Sequence, residues 1–149
     1  MATYTGQYQV KVDNKGRLRL PSDLLKQLED QNKKFVINKG LEKCLRLYPI
    51  NQWNAITEEM NKLSYFKTKE REFLRFFYQM ATQTETDSND RILIPKRLME
   101  KTNITNEVVI LAFHDVIEIW DSNTYYDTIQ EPDDFSDMAD EIWSKLKND

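Results

Sequence analysis

Cysteine and histidine are nearly absent from this chain of 149 residues, which has one of each, Cys44 and His114. One cysteine excludes an internal disulfide, and two such side chains cannot form a zinc cluster, so we expect no metal and no cofactor. The longest apolar run, residues 108–113, is far shorter than the roughly 18 residues of a membrane span. The N-terminal sequence also has no apolar segment typical of a secretory signal. We therefore expect a cytoplasmic protein that binds no membrane.

Motifs of common enzyme chemistries are absent as well. The sequence has no phosphate-binding G-x-x-x-x-G-K-[ST] loop, no G-x-S-x-G nucleophile turn and no dinucleotide-binding G-x-G-x-x-G. Carboxylates are plentiful, but pairs such as Asp133 and Asp134 lie in a polar tail without a partner for acid–base work. The sequence therefore predicts that the protein is not an enzyme and has no small-molecule substrate.

Charge is abundant, and it differs in sign between the two halves of the chain. Charged residues make up 31% of the sequence, and the formal net charge is -4. Residues 1–76 hold 15 of the 21 Lys and Arg residues but 9 of the 25 Asp and Glu residues. This asymmetry is typical of a polyanion-binding surface joined to a segment that repels or mimics polyanions, although solvated surface charge would have the same composition.

An internal repeat is the strongest feature of the sequence. Residues 13–21 read D-N-K-G-R-L-R-L-P, and residues 87–95 read D-S-N-D-R-I-L-I-P. A short helical stretch follows each copy, at residues 22–29 and 96–101, and then come an apolar run and an alternating strand. The order strand, turn, strand, short helix, strand, strand thus occurs twice, and it predicts an α+β, mainly β fold with two similar halves.

The local pattern of the first copy predicts how both copies fold. Gly16 can adopt positive φ in the turn, and Arg17 and Arg19 point to the face opposite Leu18 and Leu20. The second copy has Asn89-Asp90 in its turn instead of glycine, and these side chains tolerate left-handed backbone geometry best. The same turn is therefore expected twice.

Three further segments have helical spacing. Residues 51–63 and 67–80 lie between the halves, and the second of them carries an apolar stripe that we expect to be core or subunit interface. The stripe consists of Phe73, Phe76, Phe77 and Met80. Residues 127–149 contain eight acids and two lysines around an amphipathic pattern. This tail either packs on its own chain or a neighbour, or places acids near the basic turns, where they compete with phosphate.

The motifs resemble those of the MraZ proteins, a family of SpoVT–AbrB-like transcriptional regulators. The resemblance rests on the doubled D-x-x-x-R-apolar-x-apolar-P pattern, on residues 40–49 with Trp53 beyond them, and on residues 116–120. It extends over about residues 4–126. It implies swapped-hairpin β halves packed as a pseudo-dimer within one chain, and chains assembled into a ring-shaped homo-oligomer.

The resemblance also implies a division of the chain into four parts. They are a first SpoVT–AbrB-like repeat at residues 7–54, linking helices at 55–80, a second repeat at 81–126 and an acidic C-terminal tail helix at 127–149. It further implies a nucleoid-associated regulator that binds double-stranded DNA. Members of the family bind repeated boxes upstream of their own division and cell-wall operon and mostly repress it.

Candidate site residues lie in the two turns and in the strands that follow them. An Arg at a turn can pair bidentately with guanine while a neighbouring Lys holds phosphate. The residues expected to bind DNA are Lys15, Arg17, Arg19 and Arg91. The residues expected to fix the turns are Asp13, Gly16 and Asp87. Because the second turn lacks glycine and adds Asp90, Arg91 is expected to contribute less or only to brace its hairpin.

The main alternative is a protein-binding module, because relatives of this fold also act as antitoxins that cap a partner enzyme. The acidic, aromatic tail suits that role. Such antitoxins usually have one N-terminal copy and a long disordered arm, whereas this sequence has two copies and a short tail. A stoichiometric partner enzyme would favour the alternative.

Overall fold

The computed structural model describes residues 3–28 and 33–148. These residues form eight strands and six helices in the following order. The elements are β1 (Tyr4–Lys11), β2 (Arg17–Arg19), α1 (Ser22–Gln27), β3 (Lys34–Lys39), β4 (Leu45–Pro49), α2 (Ile50–Met60), α3 (Thr68–Tyr78), β5 (Thr82–Glu85), β6 (Arg91–Leu93), α4 (Lys96–Lys101), β7 (Glu107–His114), β8 (Val116–Asp121), α5 (Ser122–Thr128) and α6 (Phe135–Lys147). The predicted doubled order of strands and short helices is confirmed, as is the α+β class.

The sheet topology shows that the two halves exchange strands. The larger sheet has the order β1-β7-β8-β4-β3-β5, and all its neighbouring strands are antiparallel. The first strand of each half therefore pairs with the third strand of the other half, β1 with β7 and β5 with β3. The two short strands that follow the turns, β2 and β6, pair with each other as a separate antiparallel ribbon, and Leu18 of β2 also forms an isolated bridge to Val12. Neither half completes its sheet without the other.

The main core is built from equivalent positions of the two copies. Leu18 and Leu20 of the first copy and Ile92 and Ile94 of the second are all buried in one cluster. Leu24 of the short helix α1 and Leu98 of the short helix α4 are completely buried in the same cluster. Burying each such side chain contributes about 1.5–3 kcal/mol to folding. The inward positions of the repeat therefore hold the two halves together, and the outward positions stay free for function.

The helix boundaries differ slightly from the predicted ones. α1 ends at Gln27, and the last residue of the predicted stretch, Glu29, lies outside the described residues. α2 stops at Met60 and α3 runs only from Thr68 to Tyr78. After α3 the chain turns through a hydrogen bond from the Ala81 N–H to the Tyr78 carbonyl and enters β5. This sharp entry into the sheet shortens the helix.

The apolar stripe of α3 is divided between the protein interior and the surface. Phe77 stacks on Trp53 with ring centroids 5.5 Å apart, and Met80 packs against the main core. Phe73 and Phe76 are exposed, Phe76 to 73%. Phe77 and Met80 are thus packed inside their own chain, because α3 folds back onto α2 and the sheet, and Phe73 stacks on Phe77 from the surface.

Candidate nucleic-acid interface

The ribbon of β2 and β6 presents the candidate arginines on one outer face. Leu18 lies directly opposite Ile92 and both point into the core, whereas Arg17 pairs with Leu93 and Arg19 with Arg91. Directly opposed residues of an antiparallel pair share a face. The outer face therefore carries three arginines and one leucine: Arg17, Arg19, Arg91 and Leu93.

In the first turn, the Asp13 carboxylate organises both the backbone and the arginine. Its Oδ1 accepts hydrogen bonds from the backbone N–H groups of Lys15 and Arg17, each at 2.9 Å. Its Oδ2 accepts from the Arg17 Nε at 2.8 Å. The Nη atoms of Arg17 have no hydrogen-bond partner among the described residues, and 34% of the side chain is exposed. The guanidinium is thus held at its base and free at its tip.

The second turn repeats this arrangement bond for bond. Asp87 Oδ1 accepts from the backbone N–H groups of Asn89 and Arg91 at 2.8 and 3.0 Å, and its Oδ2 accepts from the Arg91 Nε at 2.8 Å. Asp90 adopts a φ of 59° where Gly16 adopts 87°. The expectation that Asp90 tolerates the left-handed position is confirmed, so the loss of glycine does not change the turn.

Each turn is also bonded to the strand of the opposite half. The Ile94 N–H donates to the Gly16 carbonyl at 2.8 Å, and the Leu20 N–H donates to the Asp90 carbonyl at 2.9 Å. A Cβ at Gly16 would lie 2.9 Å from the Ile94 carbonyl oxygen, closer than real Cβ atoms approach. Glycine is therefore favoured in the first turn mainly by this backbone contact, because Asp90 adopts positive φ at the equivalent position of the second turn.

Hydrogen bonding lowers the pKa of both turn carboxyls below the usual 3.8. The largest cause at Asp13 is the backbone N–H of Arg17, and at Asp87 it is the backbone N–H of Arg91. These donors favour the ionised carboxylate, and the arginine side chains act in the same direction. Both turns therefore contain a charged, fully engaged Asp at neutral pH.

This pKa shift leads to a prediction about acid stability. A carboxyl with a lowered folded-state pKa stabilises the fold above its unfolded pKa and loses that contribution as the pH falls through the folded value. We expect the turns to keep their geometry from pH 7 down to 3.8 and to open only below it. Carboxyl-carbon NMR titration should give midpoints below 3.8 for both groups. Arg17→Ala should raise the midpoint of Asp13 and leave that of Asp87 unchanged, whereas midpoints at or above 3.8 would contradict the hydrogen-bonding scheme.

The two ends of the ribbon differ in charge. Ile94, which bonds to the first turn, is followed by Pro95 and then by exposed Lys96 and Arg97 at the start of α4. The second turn instead meets Leu20, after which the chain continues through Ser22 and Asp23. The basic pair was not singled out from the sequence. The repeat aligns it with Ser22 and Asp23, but only pairing between the halves brings it to the first turn.

The described residues give little support for a metal site or for a reactive cysteine. They contain no group of three or more His, Cys, Asp and Glu side chains that could hold a metal ion. Burial raises the pKa of the Cys44 thiol to about 12, so it is a poor nucleophile at neutral pH. His114 is exposed at the end of β7. No helix in this part of the chain is long and apolar enough to cross a membrane.

Comparison with known proteins gives one consistent result. The family model described as "MraZ protein, putative antitoxin-like" matches residues 3–76 and 77–144, and each segment contains one Asp-x-x-x-Arg turn. The chain is 41% identical over 145 residues to a protein of Christiangramia forsetii named Transcriptional regulator MraZ, covering 95% of this chain and 94% of the relative. It is 36% identical over 152 residues to a protein of the same name from Flavobacterium psychrophilum, covering 100% of this chain and 97% of the relative.

Proposed function

This chain belongs to the MraZ family, and we propose that it is a DNA-binding transcriptional regulator that reads a duplex with its Asp-x-x-x-Arg turns. The observation that supports this most strongly is the pair of arginines that aspartates hold at Nε and whose Nη atoms have no hydrogen-bond partner among the described residues. A guanidinium fixed at its base loses little side-chain entropy when it binds. Its free tip has the geometry to bond guanine O6 and N7 end-on in the major groove.

The turn aspartates are compatible with DNA binding because their oxygens already have donors. Asp13 accepts three hydrogen bonds from its own turn, and Asp87 accepts three from the second turn. Their negative charge is therefore directed at the protein and paired with an arginine. In this mechanism the arginines specify bases, and Lys15 and Arg19 hold phosphates, which position the protein without reading sequence.

The first turn is proposed to make the dominant contact. Its end of the ribbon has Lys15 and the neighbouring basic pair Lys96 and Arg97, whereas the end with Arg91 has Arg19 opposite it but also Asp90 and, across the ribbon, Asp23. Phosphate contacts gain from released counterions, so the basic end has the larger affinity for DNA. Arg91 has the same geometry for a base contact as Arg17, but the acidic residues around it make its surroundings less favourable for DNA.

We further propose the finer properties that the family resemblance implies. The protein is a cytoplasmic, nucleoid-associated repressor of its own division and cell-wall operon, acting at tandem upstream repeats. Its halves are swapped-hairpin units, a proposal supported by the exchange of β1 and β5 between the halves. Several chains form a ring, so that several turns engage successive boxes at once.

Footprinting of the purified protein on the DNA upstream of its own gene tests this proposal. We expect periodic protection over short direct repeats, lost when the repeats are scrambled. Protection that is uniform along the DNA would indicate sequence-independent binding. Absence of protection at any salt concentration would contradict a regulator that binds at its own promoter.

A second candidate function is an antitoxin-like protein-binding module, and the matching family model is described as "putative antitoxin-like". The exposed apolar side chains of the acidic helix α6 favour a protein partner. Co-purification of a stoichiometric enzyme that blocks footprinting would support it. Independent DNA binding by the protein alone would leave DNA as its primary partner.

A further inference from the structure

The outer face of the ribbon carries one apolar side chain, Leu93, among three arginines. Leu93 is 52% exposed, and its partner in the ladder is Arg17, the arginine of the first turn. The repeat aligns Leu93 with Arg19, so the same outward position is charged in one copy and apolar in the other. A single exposed leucine is ordinary by itself. Leu93 differs from an ordinary one because it lies on the surface to which the proposed function assigns DNA.

The hydrogen bonds of the ribbon bring the side chains of Leu93 and Arg17 close together. The next ladder position is hydrogen-bonded, since the Ile94 N–H donates to the Gly16 carbonyl. Hydrogen-bonded and non-hydrogen-bonded pairs alternate along an antiparallel ladder, so Arg17 and Leu93 form a pair of the second kind. The Cα atoms of such a pair are about 4.5 Å apart, and its side chains are closer than those of a hydrogen-bonded pair.

The Leu93 side chain also lies against the first turn. A Cβ built on Gly16 would be 3.7 Å from Leu93 Cδ1, an ordinary van der Waals distance. Because Gly16 has no side chain, it leaves this methyl group uncovered on the side of the turn. Opposed residues have Cβ atoms about 4.5–5.5 Å apart, a spacing close to the rise of about 3.4 Å between neighbouring base pairs. The first turn thus presents an arginine and an apolar group side by side.

The second turn has different side chains at the same positions. Arg91 lies opposite Arg19, and Asp90 occupies the position that Gly16 occupies in the first turn. Two guanidinium groups and a carboxylate offer no apolar surface of this kind. The two turns have the same backbone arrangement, but only the first can combine a hydrogen-bonding contact with an apolar one.

The major groove of DNA displays a group that matches each of these two side chains. The groove admits a two-stranded β-ribbon. Guanine presents O6 and N7, which an arginine bonds, and thymine presents its C5-methyl group, which an apolar side chain contacts. Removing this methyl and a leucine from water together is favourable. The pair of Arg17 and Leu93 is therefore complementary to a guanine next to a thymine.

We propose that Leu93 is a specificity-determining residue that contacts the C5-methyl of a thymine beside the guanine bonded by Arg17. The first turn then reads two neighbouring base pairs, one by hydrogen bonds and one by its methyl group. Symmetry of a binding site mirrors symmetry of the protein, and the symmetry of the ribbon is broken at Leu93, so the box has no two-fold symmetry. The inference rests on the proposed function, since it names the bases that the first turn reads.

Single-base substitutions in a duplex with one footprinted box test the proposal. One box removes avidity, and each thymine in turn is replaced by deoxyuridine, which lacks only the C5-methyl. We expect one position at which the wild-type protein loses about fourfold in affinity, the effect of burying one methyl-sized group. Leu93→Ala should lose about fourfold or more on the unmodified duplex and should not distinguish thymine from deoxyuridine at that position. Fluorescence anisotropy measures each affinity.

A second base analogue locates the guanine. 7-Deazaguanine lacks the N7 acceptor, so it should weaken binding by the wild-type protein and leave the affinity of Arg17→Ala unchanged. We expect the sensitive guanine in the base pair next to the sensitive thymine. Sensitive positions that are not neighbours would contradict the side-by-side contacts of Arg17 and Leu93.

Three further variants serve as controls, each checked for an unchanged circular dichroism spectrum. Leu93→Met keeps an apolar side chain and should keep the sensitivity to deoxyuridine. Arg19→Ala changes the repeat-equivalent position, so it should weaken binding to all duplexes alike and also keep that sensitivity. Leu93→Arg adds a phosphate-binding charge, so it should bind scrambled DNA more tightly and lose the preference for thymine.

The outcomes separate failure of this proposal from failure of the proposed function. The proposal is overturned if deoxyuridine has no effect at any position, or if Leu93→Ala responds to it as the wild-type protein does. In either case, an effect of 7-deazaguanine that depends on Arg17 leaves the proposed function standing. If the wild-type protein binds the box and a scrambled duplex equally, the proposed function fails, and the assignment of Leu93 fails with it.

Discussion

Arg17→Ala is expected to abolish detectable specific DNA binding while leaving the fold intact. Loss of one bidentate base contact costs about 1–3 kcal/mol at each turn. Several turns bound to successive boxes multiply this loss through avidity. The fold should persist because the ion pair between Arg17 and Asp13 joins two partly exposed side chains, and such pairs contribute little to stability. Fluorescence anisotropy with the footprinted repeat and a scrambled duplex measures the effect.

Two matched variants show whether the geometry of Arg17 or only its charge is needed. Arg17→Lys keeps the charge but loses the planar fork, so it should bind scrambled DNA normally and lose preference for the repeat. Arg91→Ala removes the equivalent side chain of the second turn and should cost less. An unchanged affinity of Arg17→Ala would refute base reading by this turn. Equal losses at Arg17 and Arg91 would refute the proposed dominance of the first turn.

The local structure of the turns could be predicted from the sequence because short-range rules determine it. The pattern of residues 13–21 predicts a turn with one left-handed position, and the repeat places Asp90 where Gly16 stands. Both residues have positive φ in the structure. The alternation of Leu18 and Leu20 with the arginines likewise predicts which side chains are buried. These features depend on neighbours within a few residues.

The relation between the two turns could not be predicted from the repeat alone. The repeat aligns Arg19 with Leu93, yet the structure places Arg19 opposite Arg91. That register arises from pairing between strands more than 70 residues apart in the sequence. The basic pair beside the first turn, Lys96 and Arg97, follows from the same long-range pairing. Sequence periodicity contains no information about which half supplies a strand's partner.

The apolar stripe of α3 shows a second limit. Helical spacing identifies Phe73, Phe76, Phe77 and Met80 as one stripe, but it does not tell what covers each side chain. In the structure Phe77 is covered by Trp53 and Met80 by the core, while Phe76 is exposed. Hydrophobic periodicity gives a direction around the helix axis and nothing about the neighbouring elements.

Leu18→Ala is expected to cause the largest loss of stability among the substitutions considered. Leu18 is 1% exposed and lies opposite Ile92 at the centre of the ribbon, where the two halves meet. Leucine-to-alanine changes in a core cost about 2–5 kcal/mol. For a chain of this size that corresponds to a fall in melting temperature of about 5–20 °C. Thermal and urea unfolding, followed by circular dichroism, measure both quantities.

Leu93→Ala is the matched control, since it truncates a leucine on the outer face of the same ribbon. Leu93 is 52% exposed, so its loss should change stability by less than about 0.5 kcal/mol. A stability loss at Leu93 equal to that at Leu18 would contradict the assignment of inner and outer faces.

Because both strands orient their arginines through the buried pair of Leu18 and Ile92, Leu18→Ala should also weaken specific DNA binding at a temperature where the variant is still folded. A variant that loses stability but binds the repeat with wild-type affinity would show that the turns hold their arginines without the ribbon.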